Sequence, residues 1–226
     1  MDEQKISFIT CVEDEAVYRE SRLYLEHLQF PAGLQAEYIP VYGAASMAAG
    51  YNEGMQRARA KYKVYLHQDV FVLYKEFPKV LLQLFQAYPR LGLLGVIGTC
   101  SLPENGVWWD SPALYGRVLH AWEPESLLDS RCAEPERPYI AAMVLDGLLL
   151  ATQYDLPWQE SLFDGWHFYD VSACAEFYQH GYEVGIPRQE EPWCMHTAAQ
   201  KPLPAAYWHY RDVFLQHYGT DYVPAP

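Results

Sequence analysis

The chain has 226 residues, of which 16 are basic and 29 acidic, so its net charge at pH 7 is -13. This acidity disfavours a nucleic-acid binder, which needs a basic surface to neutralise phosphates, and it disfavours docking on an anionic membrane. Hydrophobic residues make up 50% and charged residues 20%, which excludes a disordered chain, and no apolar run reaches the ~20 residues that a transmembrane segment needs.

The first hundred residues alternate between short apolar runs, typical of strands, and helical patterns. We predict strands at 5–12, 36–41, 64–67 and 91–99, and helices from 13–15 to 29, at 44–59 and at 77–88. Such alternation predicts a parallel sheet with helices on both faces. Ligands of such sheets bind beyond the carboxyl ends of the strands.

The pattern changes after residue 100. Residues 105–112 indicate an exposed loop, and residues 122–138, rich in Pro and Glu, indicate an irregular excursion. Further on we predict strand-like residues at 141–152, a helix at 171–180, a strand at 182–186 and a last helix at 205–218.

The cysteines and the N-terminus bear on the compartment. The five cysteines are odd in number and show no CxxC spacing, so neither a disulfide framework nor a zinc ribbon is expected. The first residues contain no apolar signal core. We therefore expect a cytoplasmic protein.

Three polar residues follow predicted strands or begin a helix. Asp69 ends an apolar strand, where a carboxylate either binds Mg²⁺ or Mn²⁺ or caps the following turn. Asp170 begins a predicted helix among aromatic residues. There it either acts as a general base with a raised pKa or caps the N-terminus of the helix. His196 follows a short strand as a metal ligand or as a structural histidine.

Common motifs of other nucleotide, metal and hydrolase sites are absent from the sequence. It contains no Walker motif, no GxGxxG, no GxSxG and no HExxH. The glycines at 92–98 lie within a strand-like run and lack the following helix that a dinucleotide site requires.

Several short segments, taken in their order along the chain, carry a resemblance to a known family. They are residues 6–12, 51–55, 58–62, 64–70, 145–148, 163–165, 168–170, 181–184 and 193–196. Together they resemble a GT-A-type glycosyltransferase of the family-2-like group that includes the streptomycin-biosynthesis glycosyltransferase-like domains. The resemblance covers about residues 5–197.

The resemblance implies an α/β fold, a GT-A-like three-layer sandwich with a mostly parallel central sheet. It implies one domain over residues 1–226, with a nucleotide-binding half at about 5–100, an acceptor and catalytic half at 101–197 and a C-terminal extension at 198–226. The expected partners are a UDP- or GDP-sugar donor and a saccharide acceptor, without nucleic acid.

The resemblance also implies roles for individual residues. Asp69 and His196 would hold the divalent cation, Mn²⁺ or Mg²⁺, although His67 replaces the first acid of the family's DxD motif. Asp170 would be the base, with Tyr169 in place of the preceding Glu. Cys11, Val12, Glu13, Asn52 and Gln68 would contact the nucleotide, and Asp146, Gly147, Trp109 and Trp166 the donor or acceptor sugar, although packing in the core or a loop is an equal alternative for each Trp.

The activity implied is a metal-assisted, inverting transfer of a sugar, of the hexosyltransferase type. The first alternative is a degenerate nucleotide-sugar-binding protein without turnover, motivated by the two replaced acids. A metal-dependent nucleotidyltransferase would need a glycine-rich, basic loop after the first strand, whereas residues 11–16 are acidic. Nothing positive supports a structural partner protein with an aromatic interface.

Overall fold

A computed structural model describes residues 1–123, 126–133, 135–197 and 202–222, with the backbone alone at 122–123 and 126–131. The helices are α1 (Glu15–Glu26), α2 (Met47–Arg57), α3 (Phe77–Ala87), α4 (Tyr169–Gln179) and α5 (Ala205–Tyr218). The strands are β1 (Asp2–Val12), β2 (Gln35–Tyr42), β3 (Ala60–Leu66), β4 (Val70–Val72), β5 (Leu91–Gly95), β6 (Ile97–Thr99), β7 (Leu114–Glu123), β8 (Ser126–Arg131), β9 (Tyr139–Ala141), β10 (Val144–Leu145), β11 (Leu149–Thr152), β12 (Glu183–Pro187) and β13 (Cys194–His196).

The central sheet has seven strands in the order β2-β1-β3-β11-β5-β12-β9. β1 pairs in parallel with both β2 and β3, and β12 pairs in parallel with β5. β11 lies antiparallel between β3 and β5, and β9 is antiparallel to β12. Five of the seven strands therefore run in one direction, as the sequence predicts.

Alternate residues of the central strands enter two separate apolar clusters. In β1, Ile6 and Phe8 join a cluster that also holds Leu25 of α1 and Phe85 of α3. Ile9 and Cys11, which point to the opposite face, join a cluster with residues of α2 and α4, among them Tyr51 and Phe177. Because strand side chains alternate between faces, this division produces three layers, helix, sheet and helix.

A second sheet, in the order β10-β6-β7-β13-β4 with β8 beside β7, lies next to the first. The prediction of one strand at 91–99 is wrong, because the chain leaves the central sheet after Gly95 and β6 pairs with β7 instead. The prediction of an irregular excursion at 122–138 is also wrong for residues 122–123 and 126–131, which belong to the antiparallel hairpin of β7 and β8. Residues 124, 125 and 134 of that segment lie outside the described residues.

The remaining predicted elements differ from the structure at their ends. β3 begins at Ala60, earlier than predicted, and α2 begins at Met47, later than predicted, after its N-cap Ser46. The strand-like run at 141–152 consists of three short strands, and α4 begins two residues before the predicted start. Of the predicted C-terminal extension, residues 198–201 and 223–226 lie outside the described residues.

None of the helices in the described ranges has both the length and the apolarity that crossing a bilayer demands. The five cysteines, all of them in described segments, are unpaired.

Candidate active site at the carboxyl ends of the strands

A cavity of about 710 Å³ opens where β1, β2 and β3 end. We call it the strand-end cavity. Its lining comprises Cys11, Val12, Glu13, Tyr42, Gly43, Ala44, Met47, His67, Gln68, Asp69 and Trp166. Carboxyl ends of parallel strands meet at one edge of a sheet, so residues distant in sequence converge there. A ligand in this cavity would contact both the β1–α1 turn and the β3–β4 turn.

Three side chains of the site could hold a metal ion. His67, Asp69 and His196 each offer one ligand atom, and these atoms lie within 4.8 Å of one another. The β3–β4 turn supplies His67 and Asp69. β13 pairs antiparallel with β4, which sets His196 opposite Val70 and brings its Nε2 to 3.4 Å from Asp69 Oδ1.

The protonation of these groups follows from burial and mutual charge. Burial, followed by the charge of His196, lowers the pKa of His67 to about 4, so its ring is neutral at pH 7. Burial disfavours charge on both Asp69 and His196, but their attraction outweighs it. As a result the pKa of Asp69 is lowered and the pKa of His196 is raised.

The donor set fits a divalent cation. The Nε2 atom of His196 is buried and finds no hydrogen-bond partner among the residues that the structure describes, since the 3.4 Å approach to Asp69 is an ion-pair contact only. An ion pair at this distance compensates only in part for the loss of the hydrogen bond to water that burial causes. A cation between His196, Asp69 and His67 would satisfy the Nε2 atom.

Asp170 lies in the first turn of α4, directly after Tyr169 in the sequence. The N-cap of α4 is Phe168, which adopts a left-handed conformation with φ 62° and makes no side-chain cap bond. The alternative that Asp170 is the N-cap is therefore wrong. Strain of this kind, of order 1–3 kcal/mol, is often found at functional sites; here the Phe168 ring packs on Tyr207 and Phe214.

The carboxylate of Asp170 is partly buried and accepts two backbone hydrogen bonds, from Gly147 at 2.9 Å and from Val171 at 2.9 Å. Burial, and then the nearby negative charge of Asp146, raises the pKa of Asp170 to about 7. A carboxylate with this pKa can accept a proton near neutral pH.

Asp146 and Gly147 form the turn between β10 and β11, facing α4. The Asp146 carboxylate accepts the Leu148 N–H at 2.9 Å. A side chain at Gly147 would collide with the Tyr169 ring and with the Asp170 Cβ. Only glycine permits this approach, so the turn and the first turn of α4 are fitted to each other.

The nucleotide residues predicted from the resemblance divide into two groups. Cys11, Val12, Glu13 and Gln68 line the strand-end cavity, and the Gln68 side-chain oxygen accepts the N–H groups of Glu13 and Asp14 at 2.8 and 2.9 Å. Burial raises the pKa of the Cys11 thiol to about 12, so it stays protonated.

Asn52 is not among the residues that line the cavity. It is a buried residue of α2, and its amide group clamps the chain after β11. It donates to the Trp158 carbonyl at 2.9 Å and to Glu160 at 3.0 Å, and it accepts the Trp158 N–H at 2.8 Å.

The two tryptophans predicted to contact sugar are both exposed, but they lie in different places. Trp166, 49% exposed, lines the strand-end cavity. Trp109, 40% exposed, lies 5.5 Å from the ring of Tyr207 in α5, and Tyr207 in turn packs on His167 and Phe168 just before Asp170.

Sequence reasoning missed two residues of the site and a neighbouring histidine. It treated His67 as a lost acid, although imidazole is itself a metal ligand. It gave Tyr169 no role, although the phenol contacts His67. His120 on β7 stands opposite His196 in the parallel register, with their rings 6.1 Å apart; no local pattern around residue 120 indicates this pairing.

The comparison with protein-family models identifies the family. A family model described as a glycosyltransferase-like family matches residues 7–218, which includes α5, beyond the end of the resemblance noted in the sequence. No curated protein matches the chain.

Three solved structures of similar fold contain a nucleotide or a nucleotide sugar. One is Staphylococcus aureus TarS, residues 1–349, in complex with UDP (TM-score 0.56, 10% identity, 86% of this chain and 60% of that chain). Another is GalNAc-T7 with UDP, GalNAc and Mn²⁺ (TM-score 0.61, 8% identity, 96% and 48%). A third is the mannosyltransferase PcManGT from Pyrobaculum calidifontis with GDP-Man and Mn²⁺ (TM-score 0.50, 12% identity, 96% and 62%).

At these identities the likeness establishes the fold alone, and the chain spans 48–62% of the length of these three structures. Together with the family match over residues 7–218, it confirms the fold class predicted from the sequence. The chain adopts the GT-A fold and belongs to the glycosyltransferase-like family.

Proposed function

We propose that this chain transfers a sugar from a nucleotide-diphosphate sugar to a hydroxyl group of a saccharide or similar acceptor, with inversion at the anomeric carbon. The observation that carries this proposal is the junction of the strand-end cavity with the His67, Asp69 and His196 cluster, because His67 and Asp69 belong to both. A nucleotide diphosphate whose negative charge is neutralised by a divalent cation needs a metal site that adjoins the nucleotide cavity.

Asp170 is the proposed general base. In the transfer, the acceptor oxygen forms a bond to the anomeric carbon while the bond from that carbon to the diphosphate oxygen breaks. Asp170 takes the proton of the acceptor hydroxyl, and the nucleoside diphosphate leaves with the electron pair. A pKa of about 7 suits this role, since a base works best when its pKa lies near the working pH.

The cation would be held by His67, Asp69 and His196, where it would act as a Lewis acid on the leaving diphosphate. Of the two ions that the sequence leaves open, we propose Mn²⁺. Two imidazoles and one carboxylate form a more nitrogen-rich donor set than the oxygen ligands and water that Mg²⁺ prefers. GalNAc-T7 and PcManGT were both solved with Mn²⁺.

The strand-end cavity is the proposed nucleotide site, with Cys11, Val12, Glu13 and Gln68 beside the nucleoside. Ten of its eleven lining residues precede residue 100, which supports a nucleotide-binding half at about 5–100 and an acceptor half at 101–197. The donor is a UDP- or GDP-sugar, because the similar structures were solved with UDP or GDP-Man.

The donor sugar would lie near Asp146 and Gly147, which adjoin Asp170. Trp166, exposed at the cavity, is the proposed stacking partner of that sugar, and Trp109 is proposed for the acceptor. An exposed indole offers a flat apolar face to a sugar ring while its N–H remains free to bond.

The test is a thermal-shift and calorimetric titration with UDP and GDP, each with and without Mn²⁺. A ligand at 100 times its Kd stabilises a protein by about 2.7 kcal/mol, which in a chain of this size raises Tm by roughly 5–11 °C. We expect Mn²⁺-dependent stabilisation by one of the two nucleotides. His196→Ala should abolish the metal-dependent part, whereas His27→Ala, at the exposed end of α1, should retain it.

No stabilisation of the folded chain by any nucleotide would overturn the proposal. Binding that is never followed by release of the nucleoside diphosphate, across a panel of saccharide acceptors, would favour the degenerate binding protein instead.

A further inference from the structure

His67 and Tyr169 contact each other across the active site. His67 Nε2 and the Tyr169 hydroxyl lie 2.5 Å apart, a short hydrogen bond between the turn after β3 and the first turn of α4. The two residues are 102 positions apart in sequence. The bond therefore joins the proposed metal site to the helix that carries the proposed base, Asp170.

The Tyr169 side chain has little freedom to leave this position. It is 3% exposed, and its ring lies 5.8 Å from Tyr51 and 6.1 Å from Trp158. Gly147 closes the space on another side, since even a methyl group there would strike the phenol. The hydroxyl is thus held at one point relative to His67.

A histidine with one ring nitrogen in a fixed hydrogen bond has only its other nitrogen available to a cation. A hydrogen-bond partner on the nitrogen that does not bind the metal orients the imidazole and fixes its tautomer. In His67 the engaged nitrogen is Nε2. His67 contributes one ring nitrogen to the cluster with Asp69 and His196, and Nδ1 is the nitrogen that the bond to Tyr169 leaves for it.

We propose that Tyr169 is a positioning residue of the metal site: its oxygen accepts the Nε2–H of His67, which presents the Nδ1 lone pair of that ring to the cation. This inference rests on the proposed function, because it assigns a role within the same metal site. It also explains how one turn of α4 fixes both the base and a metal ligand.

The test compares two tyrosine-to-phenylalanine changes in the same buried aromatic cluster. Tyr169→Phe removes the hydroxyl that contacts His67. Tyr51→Phe is the matched control, because the Tyr51 hydroxyl is buried without a hydrogen-bond partner among the described residues. Calorimetry with Mn²⁺ alone should show roughly 10–100-fold weaker binding for Tyr169→Phe and no change for Tyr51→Phe.

A spectroscopic measurement on the unmodified chain keeps the proposal testable if Tyr169→Phe does not fold. With the histidines labelled by ¹⁵N and Zn²⁺ as a diamagnetic probe, the His67 ring should show a protonated Nε2 and a metal-bound Nδ1. Its signals are identified by their loss in His67→Gln.

Four outcomes contradict the inference in distinguishable ways. Unchanged Mn²⁺ affinity in Tyr169→Phe, equal weakening in Tyr51→Phe, or coordination of Zn²⁺ through Nε2 would each overturn the role of Tyr169 alone. Failure of the unmodified chain to bind Mn²⁺ would instead overturn the metal site of the proposed function.

Discussion

Asp170 experiences opposing influences on its proton. Burial and the charge of Asp146 favour the neutral acid, while the N–H groups of Gly147 and Val171 favour the carboxylate. The first two prevail and raise the pKa to about 7. Because its pKa is near neutral, Asp170 changes its charge within the range of pH at which the protein can be assayed.

The pH dependence of transfer tests this residue. The base must be ionised to accept a proton, so kcat should rise with pH and level off above about pH 7. Asp170→Asn should lower kcat by roughly 10²–10⁴-fold while Mn²⁺-dependent nucleotide binding survives. Steady-state rates from pH 5 to 9 provide the measurement, and full activity in Asp170→Asn would refute the assignment of the base.

The same pKa carries a consequence for stability. The folded pKa of Asp170 exceeds the usual 3.8, so the folded state binds more protons between about pH 4 and 7, and stability falls as pH rises through that range. Asn does not titrate. The Tm of Asp170→Asn should therefore rise relative to the Tm of the parent as pH increases from 5 to 8, and the exposed Asp221→Asn serves as the control.

His67 and Tyr169 show what a residue-by-residue comparison with a family misses. Each replaces an acid of the family pattern, and from the sequence each counts as a separate loss. In the structure the two side chains form one hydrogen bond. The sequence supplies the identities of the two residues, but contact between positions 102 apart is a property of the tertiary fold.

At the level of elements, α2 and the segment after β11 are joined through Asn52. Its amide makes two bonds with the Trp158 backbone and one with Glu160. Trp158 in turn packs between Tyr51 and Tyr65, with ring distances of 4.9 Å to each. Both N–H groups of Asn52 and its side-chain oxygen are therefore bonded within the protein, next to the aromatic cluster of Tyr51, Tyr65 and Trp158.

Asn52→Ala tests this structural role against the nucleotide contact that the resemblance implies. It leaves a buried N–H and a buried carbonyl unpaired, at about 1–3 kcal/mol for each, so Tm should fall by at least several degrees. The Kd for the nucleotide should stay within about 3-fold of the parent. Gln56→Ala, an exposed amide on the same helix, is the control, and a large loss of affinity with unchanged Tm would restore Asn52 to the nucleotide site.

The β7–β8 hairpin marks the limit of local patterns for elements. Prolines and acidic residues at 122–138 favour irregular structure, yet β7 pairs with β6, β8 and β13. Residues 114–116 and 119–120 of β7 pair with β6 and β13, which are far away in sequence. β7, against which β8 pairs, is therefore stabilised by neighbours that a short window of sequence does not contain.

At the scale of the whole molecule, the C-terminal helix closes the core behind the active site. Phe214 of α5 is fully buried and packs on Phe168, Tyr218 and Tyr222. Tyr207, which lies on the same helix, packs against Phe168 and Trp109. α5 therefore supports the strained residue that precedes Tyr169 and Asp170.

Phe214→Ala should destabilise the whole chain. Truncating a buried Phe costs about 3–5 kcal/mol, which corresponds to a fall in Tm of roughly 6–20 °C at this size. Calorimetric unfolding measures it, with exposed Gln216→Ala on the same helix as control. A fall of less than 2 °C, within the effect of an ordinary surface substitution, would mean that α5 is not part of the cooperative core.

The sequence by itself determined the layered α/β class, most of the helices and strands of the first hundred residues, and the candidate base and metal residues Asp69, Asp170 and His196. Apolar periodicity and short motifs are local patterns, and they can be recognised in a single amino-acid sequence. Only the tertiary structure decided that His196 meets Asp69, that Tyr169 meets His67, that Asn52 clamps Trp158, and that the chain leaves the central sheet after Gly95. Each of these depends on strand pairing or side-chain packing between distant segments, and such contacts form only when the whole chain folds.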